Sequence, residues 1–210
     1  MASFISQINK LISSSLANIS KGEDRVSSEE TDTCKVYAVF DGHGGPQVSN
    51  QLANGYGDIP SFPIYLSNKI LEESVKEGFE MVSLLDSAFL EYDKIMSKIH
   101  RGRVGSTATV SVVYNKILYV AYVGDSQALV FKDSECIHET LNHCVIDNPD
   151  ERIRVKEGGA TLTPASSFAV TSDTSISVTP GFYHNFFKGS FVDSLAMTRA
   201  FGHYKVKCDY

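Results

Sequence analysis

The sequence predicts an α+β fold, in which a central β-sandwich of two antiparallel sheets is flanked by α-helices. Strand patterns are concentrated between residues 106 and 131, whereas helical patterns lie together between residues 67 and 100. Strands and helices that are grouped in this way, instead of alternating, favour antiparallel pairing over a parallel α/β sheet.

Length and composition agree with one domain of ordinary globular type, or with most of a larger one. The chain has 210 residues, of which 42% are hydrophobic, and its net charge is −6. It has no long basic block and no apolar run of the ~18 residues that a membrane-spanning helix requires. We therefore expect no nucleic-acid or membrane partner, and a monomer.

Cysteine usage gives an expectation about the compartment. The four cysteines are widely spaced and include no C-x-x-C pair. Isolated cysteines of this kind are typical of reducing, intracellular surroundings, and we expect a cytoplasmic or nuclear protein.

The domain prediction separates an N-terminal segment, residues 1–19, from a main domain, residues 20–210. Apolar residues within 3–20 recur at helical spacing, which predicts a helix packed on the domain. The segment is rich in serine and has no acid before Glu23, as in a mitochondrial transit peptide, but it lacks arginine.

The first half of the main domain predicts a strand followed by helices. Residues 35–40 form a buried strand pattern that runs into the glycine-rich sequence DGHGG at residues 41–45. Pro46 suits the first turn of a helix. Residues 67–100 have apolar positions three to four apart, which predicts a long helical stretch that Gly78 can divide.

The second half predicts an antiparallel meander and then less regular structure. Residues 107–114 and 117–123 are strand patterns, and Asn115-Lys116 between them is a plausible two-residue hairpin turn. The remaining predictions are a resumed strand over 127–131, a helix over 148–155 ended by Gly158-Gly159, a partly ordered excursion over 160–193 and a short element over 195–202.

Asp41, Gly42 and His43 form the sharpest chemical motif in the sequence. An aspartate at a strand end can offer oxygen ligands to magnesium or manganese, and the adjacent glycine lets a backbone carbonyl approach the same ion. His43 can donate a proton to a leaving group. The alternative is a glycine-rich turn whose Asp and His are simply solvated.

Other polar groups are weaker signals when taken singly. Glu23-Asp24 precedes the first strand and is either a solvated loop or part of a site. Asp125 interrupts a strand, where its carboxylate can reach a site or stabilise a turn. His143 beside Cys144 suggests a metal pair, but without further spaced ligands a structural role is favoured.

Several motifs in fixed order resemble one known family. The sequences VFDGHGG ending at Gly45, GSTA from Gly105, VGDSQA around Asp125 and LAMTRAFG ending at Gly202 together resemble the type 2C metal-dependent serine/threonine protein phosphatases. Glu23-Asp24-Arg25 is similar to the early acidic motif of that family. Asn142-His143 through Gly158-Gly159 is similar to another of its segments, with Asn142 in place of the usual Asp.

The resemblance implies hydrolysis of phosphoserine and phosphothreonine in phosphoprotein substrates by a metal-bound water. It implies two magnesium or manganese ions, with a weaker third. Asp41 would bridge the two ions, the Gly42 carbonyl would hold one of them, and Asp24 with Glu23 would act on their water shell. Asp125 would match the third metal site, and His43 would match the general acid.

The sequence departs from that family pattern at three places. His203 stands where the family has a metal-binding aspartate, and imidazole brings no negative charge to the ion. Lys21 stands near the position of an arginine that grips phosphate, and it lacks the bidentate fork. A further downstream aspartate motif is not found before Tyr210, so we expect the C-terminal part of the family fold to be lacking.

Two hypotheses follow from these departures. The first is a working phosphatase whose chain is a fragment of the family domain, or whose site uses substitutes, with His203 in a metal-binding position and Lys21 binding phosphate. The second is a catalytically impaired phosphatase-like module that serves as a protein-binding or scaffolding domain.

Overall fold

The computed structural model of the chain describes residues 5–7, 22–100, 102, 104–144, 147–157, 161–164, 176–179 and 199–204. The helices are α1 (Gln47–Asn54), α2 (Phe62–Glu73), α3 (Met81–Met96) and α4 (Pro149–Glu157). The strands are β1 (Ile5–Gln7), β2 (Arg25–Glu30), β3 (Cys34–Phe40), β4 (Gly42–His43), β5 (Gly105–Ser106), β6 (Ala108–Tyr114), β7 (Ile117–Val123), β8 (Leu129–Lys132), β9 (Glu135–Glu139), β10 (Thr161–Pro164), β11 (Ile176–Thr179) and β12 (Phe201–Gly202).

The largest sheet has five strands in the order β1-β7-β6-β3-β2, and each neighbouring pair is antiparallel. Asn115 and Lys116 connect β6 to β7 with φ angles of 51° and 63°. A turn with two left-handed residues matches the twist of the strands it joins, which confirms the predicted two-residue hairpin. A second sheet, in the order β12-β5-β4, is short but contains the residues of greatest chemical interest.

The hydrophobic core lies between one face of the large sheet and the helices. Alternate residues of β3 are buried, and α1 and α2 pack on β2 and β3. An aromatic cluster made of Phe62, Phe89, Tyr92 and Phe201 joins α2 and α3 to β12, with ring centroids 4.8 to 6.4 Å apart. Because each fully buried side chain of this size contributes about 1.5–3 kcal/mol, the cluster anchors β12 firmly to the helices.

Antiparallel sheets with helices packed against them confirm the predicted α+β class. The predicted division of the long helical stretch at Gly78 is also confirmed, because α2 and α3 lie on either side of this residue, whose φ is 77°. The predicted start of that stretch at residue 67 was wrong. Helix α2 begins at Phe62 because Pro63, in its first turn, needs no amide partner there.

The helix predicted for residues 3–20 is wrong at Ile5–Gln7. These residues form β1 and pair antiparallel with β7. The outer edge of β7 offers backbone groups that a short extended segment can satisfy, which outweighs the helical spacing of the apolar residues. The rest of the predicted helix lies outside the described residues, and the boundary between residues 19 and 20 stays a prediction.

Two more corrections concern the second half of the chain. Strand β8 begins at Leu129, not at Gln127, and pairs with β9, which the sequence did not predict. Within the excursion predicted for residues 160–193, β10 and β11 form an antiparallel pair. Along the described part of the chain, no helix combines the length and the apolar character that crossing a membrane would demand.

Candidate functional site

Asp41 lies between β3 and β4, and its backbone is held by Thr107. The Asp41 amide donates to Thr107 Oγ1 at 3.1 Å, and the Thr107 amide donates to the Asp41 carbonyl oxygen at 2.9 Å. Ser106 Oγ also donates to that carbonyl at 3.2 Å. Since Asp41 itself is exposed, these contacts fix the backbone while leaving the residue open to solvent.

The same Thr107 hydroxyl reaches the segment that carries Asp125. Its Oγ1 lies 2.7 Å from Ser126 Oγ, and Thr109 Oγ1 donates to the Ser126 carbonyl oxygen at 3.2 Å. Asp41 and Ser126 are far apart in sequence, yet both hydrogen-bond to one side chain. Thr107 therefore joins the two loops that carry the predicted acids Asp41 and Asp125.

Gly42 brings the early acidic pair to the same place. A Cβ at this position would lie 2.6 Å from the Glu23 carbonyl oxygen and 2.7 Å from Ser49 Oγ, so only glycine fits. Ser49 on α1 donates to the Glu23 carbonyl oxygen at 2.5 Å. The backbone of Glu23 consequently lies beside Gly42 of β4, and the metal-site role that the resemblance implies for Glu23 and Asp24 stays a prediction.

His43 and His203 stack on each other, with ring centroids 4.5 Å apart and ring planes at 15°. His203 is 5% exposed and takes a φ of 55°, and its amide donates to the Val104 carbonyl oxygen at 2.8 Å. Burial lowers the pKa of His43, and the negative charges of Asp125 and Glu23 act in the opposite direction. The structure thus places the predicted acid His43 against the predicted ligand His203.

His143 holds the loop before Asp125. Its amide donates to the Gly124 carbonyl oxygen at 3.1 Å, and the Gly124 amide donates to His143 Nδ1 at 3.2 Å. Because Nδ1 accepts, the neutral ring carries its proton on Nε2. The ring stacks on Tyr122 at 5.1 Å, and burial lowers its pKa to about 4. The expected structural role of His143, rather than metal binding, agrees with these contacts.

The segment around His203 is attached to α3 and α4 by buried carboxylates. Asp93 Oδ1 accepts from the Gly202 amide at 3.1 Å and from the Tyr204 hydroxyl at 2.8 Å. Glu151 Oε1, on α4, accepts from Arg199 at 2.7 Å. Two carboxylates that are each 5% exposed therefore hold the chain on both sides of His203.

The donors at the site suit a divalent cation in kind. Carboxylates of Asp24, Asp41 and Asp125 and the carbonyl of Gly42 are oxygen ligands of the type that magnesium and manganese prefer. Across the parts of the chain that the structure describes, however, no three His, Cys, Asp or Glu side chains are grouped closely enough to hold a metal ion. Lys21, the predicted phosphate ligand, lies outside the described residues.

Sequence reasoning missed the residues that assemble the site. Thr107 was noticed only as part of a GSTA motif, and no signal separated its role from that of a strand hydroxyl. Asp93 had a readable signal, because it is an acid between the apolar residues Phe89 and Met96 on the core-facing side of α3. Glu151 and Arg199 lie 48 residues apart, and nothing local indicates that they pair.

The chain is similar in sequence to known proteins. The sequence matches the family model described as "Protein phosphatase 2C" over residues 3–210. It is 29% identical over 149 residues to "Probable protein phosphatase 2C 45" of Oryza sativa subsp. japonica, which covers 70% of this chain and 49% of the relative. It is 32% identical over 142 residues to "Probable protein phosphatase 2C 55" of the same organism, covering 65% and 35%.

The fold is also similar to a solved structure, the serine-threonine phosphatase 2C from Toxoplasma gondii. The TM-score is 0.58 at 19% sequence identity, and the match covers 86% of this chain and 63% of that chain. The chain spans about half, or less, of the length of these two curated relatives.

Proposed function

Because this chain belongs to the protein phosphatase 2C family, we propose that it hydrolyses phosphoserine and phosphothreonine in proteins with the help of divalent metal ions. Its partner is then a phosphoprotein substrate. We also propose that the chain binds two magnesium or manganese ions, and a third ion more weakly.

One observation carries the proposal: Thr107 hydrogen-bonds to both loops that carry the acids Asp41 and Asp125. The contact between Gly42 and Glu23 adds the early acidic pair to the same edge of the fold. Three separate segments that carry acids thus lie next to one another, which favours a common site over a set of unrelated solvated turns.

Each residue has a role in this proposal. Asp41, Asp24, Asp125 and the Gly42 carbonyl would hold the ions, with Glu23 acting on the surrounding water. Divalent ions bound there would supply positive charge to the phosphoryl oxygens and activate water for attack at phosphorus. His43, one strand residue beyond Gly42, would donate a proton to the leaving seryl or threonyl oxygen.

His43 can donate a proton only when its ring is protonated. Burial lowers the pKa of His43 and therefore favours the neutral ring. The charges of Asp125 and Glu23 favour the protonated ring. A negatively charged phosphate beside the ring would favour it further, so the donor form is promoted when substrate is bound.

A second candidate function, a catalytically impaired module that binds other proteins, is favoured by His203. This buried imidazole stands where the resemblance calls for a carboxylate, and no described group of three ligands is ready for a metal ion. The neighbouring Arg199 and Phe201 keep the segment folded, so the site can persist as a surface without turnover.

The test is hydrolysis of a phosphothreonine peptide with Mn²⁺ or Mg²⁺, in the unmodified chain and in Asp41→Asn. We expect Asp41→Asn to lower kcat/KM by at least about 100-fold, since it removes a charge aimed at the ions. Asp32→Asn, in an exposed turn, is the matched control and keeps full activity. Hydrolysis that survives both a chelator and Asp41→Asn would refute the metal-dependent mechanism. A folded chain without turnover would support the binding module.

We also propose a reducing, intracellular compartment. Among the described residues Cys34, Cys136 and Cys144 are free, and two of them are buried. Thiol labelling of the protein in intact cells tests this: reversible oxidation of most Cys136 under ordinary growth would contradict it.

A further inference from the structure

The ring of His43 lies on the ring of His203, and the stack has a role that the acids of the site do not explain. His43 comes from β4, and His203 is the residue after β12. Their ring centroids are 4.5 Å apart and their planes meet at 15°. The role concerns the same site as the proposed function and rests on that function, because it requires His43 to donate a proton there.

Within the part of the chain that the structure describes, no hydrogen bond orients the ring of His43. Its Nδ1 and Nε2 are both buried, and neither has a hydrogen-bonding partner there. Burial lowers the pKa of His43, and the Asp41 backbone acts in the opposite direction, but from outside hydrogen-bonding geometry. An imidazole without such a bond turns about its side-chain bonds over a broad range unless packing holds it. The orientation of this ring therefore depends on the surfaces that it contacts.

Two surfaces contact the His43 ring. Gly105 on β5 pairs with His43 on one side and with Gly202 on the other. A Cβ at Gly105 would lie 2.6 Å from Nε2 of His43 and would collide with the edge of the His203 ring. The lack of a side chain at this position leaves room on β5 for both rings. The edge of the His43 ring thus lies on Gly105, and one of its faces lies on His203.

His203 is itself held in place. It is 5% exposed, and its amide donates to the Val104 carbonyl oxygen at 2.8 Å. The amide of the preceding Gly202 donates to Asp93 Oδ1 at 3.1 Å. The backbone that carries this imidazole is therefore fixed by bonds to two separate elements. Its ring is a fixed face against which the ring of His43 packs.

We propose that His203 is a positioning residue, whose ring holds the His43 ring in the orientation from which His43 protonates the leaving seryl or threonyl oxygen. The bond between phosphorus and that oxygen breaks as the proton passes from His43 to the oxygen, and His203 neither gains nor loses a proton. A proton donor has to lie within about 2.6–3.2 Å of the atom that it protonates, and a misplacement of about 1 Å can cost about 100-fold in rate. Contact with a fixed ring face prevents the His43 ring from tilting out of its plane.

The test compares two substrates in the whole chain with saturating Mn²⁺, a phosphothreonine peptide and p-nitrophenyl phosphate. The threonyl oxygen needs a proton to leave, whereas nitrophenolate is a stable anion that leaves without one. His203→Asn removes the ring, and asparagine tolerates the φ of 55°. We expect this variant to lower kcat for the peptide at least about tenfold, and kcat for p-nitrophenyl phosphate by less than about threefold. His138→Asn on β9 is the matched control and lowers neither.

A double-mutant cycle with His43→Asn separates positioning from a general structural role. Once the proton donor is absent, the ring that positions it has no further effect. His203→Asn should therefore not lower kcat for the peptide again in the His43→Asn background. His203→Phe restores a ring face and should recover most of the peptide turnover. Equal losses with both substrates in His203→Asn, or independent losses in the cycle, would overturn the proposal and indicate a structural or metal-binding role for His203.

Histidine C–H resonances test the contact without turnover. The face of the His203 ring shields the protons of the His43 ring, so His203→Asn should shift the His43 signals downfield. His203→Phe should shift them much less, because it keeps an aromatic face. Unchanged His43 signals in His203→Asn would show that the rings do not stack, and would overturn the proposal.

The two proposals fail in different ways. If the unmodified chain hydrolyses both substrates and His203→Asn slows neither, the positioning role is refuted and the proposed function stands. If the unmodified chain hydrolyses neither substrate, the proposed function is refuted, and the use of the stack in catalysis is refuted with it. A downfield shift of the His43 signals in His203→Asn would then show that the ring contact exists without that use.

Discussion

Asp93 is expected to be one of the most sensitive positions in the chain, although it lies on a helix behind the site. Its carboxylate is 5% exposed and accepts from the Gly202 amide at 3.1 Å and the Tyr204 hydroxyl at 2.8 Å. Asp93→Ala removes Oδ1, the acceptor of both bonds, and leaves the buried Gly202 amide without its carboxylate partner.

The expected loss follows from these two bonds. A hydrogen bond to a charged group contributes about 1.5–3 kcal/mol, so Asp93→Ala should lower the free energy of unfolding by about 3–5 kcal/mol. Asp93→Asn retains an oxygen acceptor and should cost roughly half as much. Tyr204→Phe removes only the hydroxyl, which also donates to the Asp93 carbonyl oxygen at 2.9 Å, and should cost about 1–2 kcal/mol.

Urea unfolding followed by circular dichroism measures these losses, with Lys94→Ala as the control. Lys94 is exposed and lies in the last turn of the same helix, so its replacement should change the free energy of unfolding by less than about 1 kcal/mol. Surface substitutions ordinarily change the free energy of unfolding by no more than about 0.5 kcal/mol. If the losses of stability in Asp93→Ala and Lys94→Ala differed by less than about 1 kcal/mol, Asp93 would not hold the 202–204 segment.

Three further predictions concern the residues around the site. Gly124→Ala should lower the free energy of unfolding in urea by about 2–4 kcal/mol, because φ is 104° and the new Cβ would lie 2.7 Å from the Thr107 side chain. Gly57→Ala is the control, because φ is 58° there and no atom lies near the new Cβ, so that only backbone strain is added. Equal losses of stability in the two variants would exclude the clash with Thr107. His143 stays neutral in the folded chain because burial lowers its pKa from 6.5 to about 4. As the pH is lowered, the unfolded chain therefore binds the proton before the folded chain does. The free energy of unfolding should fall as the pH drops from 6.5 to about 4, and at pH 5 the loss should be about 2 kcal/mol. Parallel curves of stability against pH for the unmodified chain and His143→Gln would contradict this prediction. Phe201→Ala should lower the free energy of unfolding by about 3–5 kcal/mol, because the ring is 2% exposed and lies in the aromatic cluster. Phe201→Leu should lower it by less. Equal losses in the two variants would show that the ring contacts do not contribute to stability.

Local patterns predicted those parts of the fold in which neighbouring residues decide the structure. The strand expected at 35–40 is observed at Cys34–Phe40, since buried alternation and the glycines after Asp41 are both local signals. The Asn115-Lys116 turn was predictable because two residues separate two strand patterns and the first of them is an asparagine, which tolerates a left-handed backbone. Pairing between distant segments, such as β1 with β7, was not predictable from periodicity.

The site divides in the same way. The chemical motif at Asp41, Gly42 and His43 was readable, because a strand end rich in glycine and carrying an acid is unusual in itself. The acid at position 93 was noticeable among apolar residues, but the partners of Thr107 and Asp93 were not readable, because each bond joins residues more than 60 positions apart. The stacking of His43 on His203 could not be predicted without the strand order β12-β5-β4. Strands of two residues are too short to leave a pattern in the sequence.

The attachment of β12 to α3 has a consequence for the order in which the chain folds. The bond from Gly202 to Asp93 closes a separation of 109 residues, whereas the β6–β7 hairpin closes across two. Distant contacts carry a larger loop-closure entropy and form after local ones. We therefore expect the β6–β7 hairpin to form before His203 reaches Gly105. In pulse-labelled hydrogen exchange during refolding, amides of β6 and β7 should become protected before those of Gly202 and His203, and simultaneous protection would contradict this order.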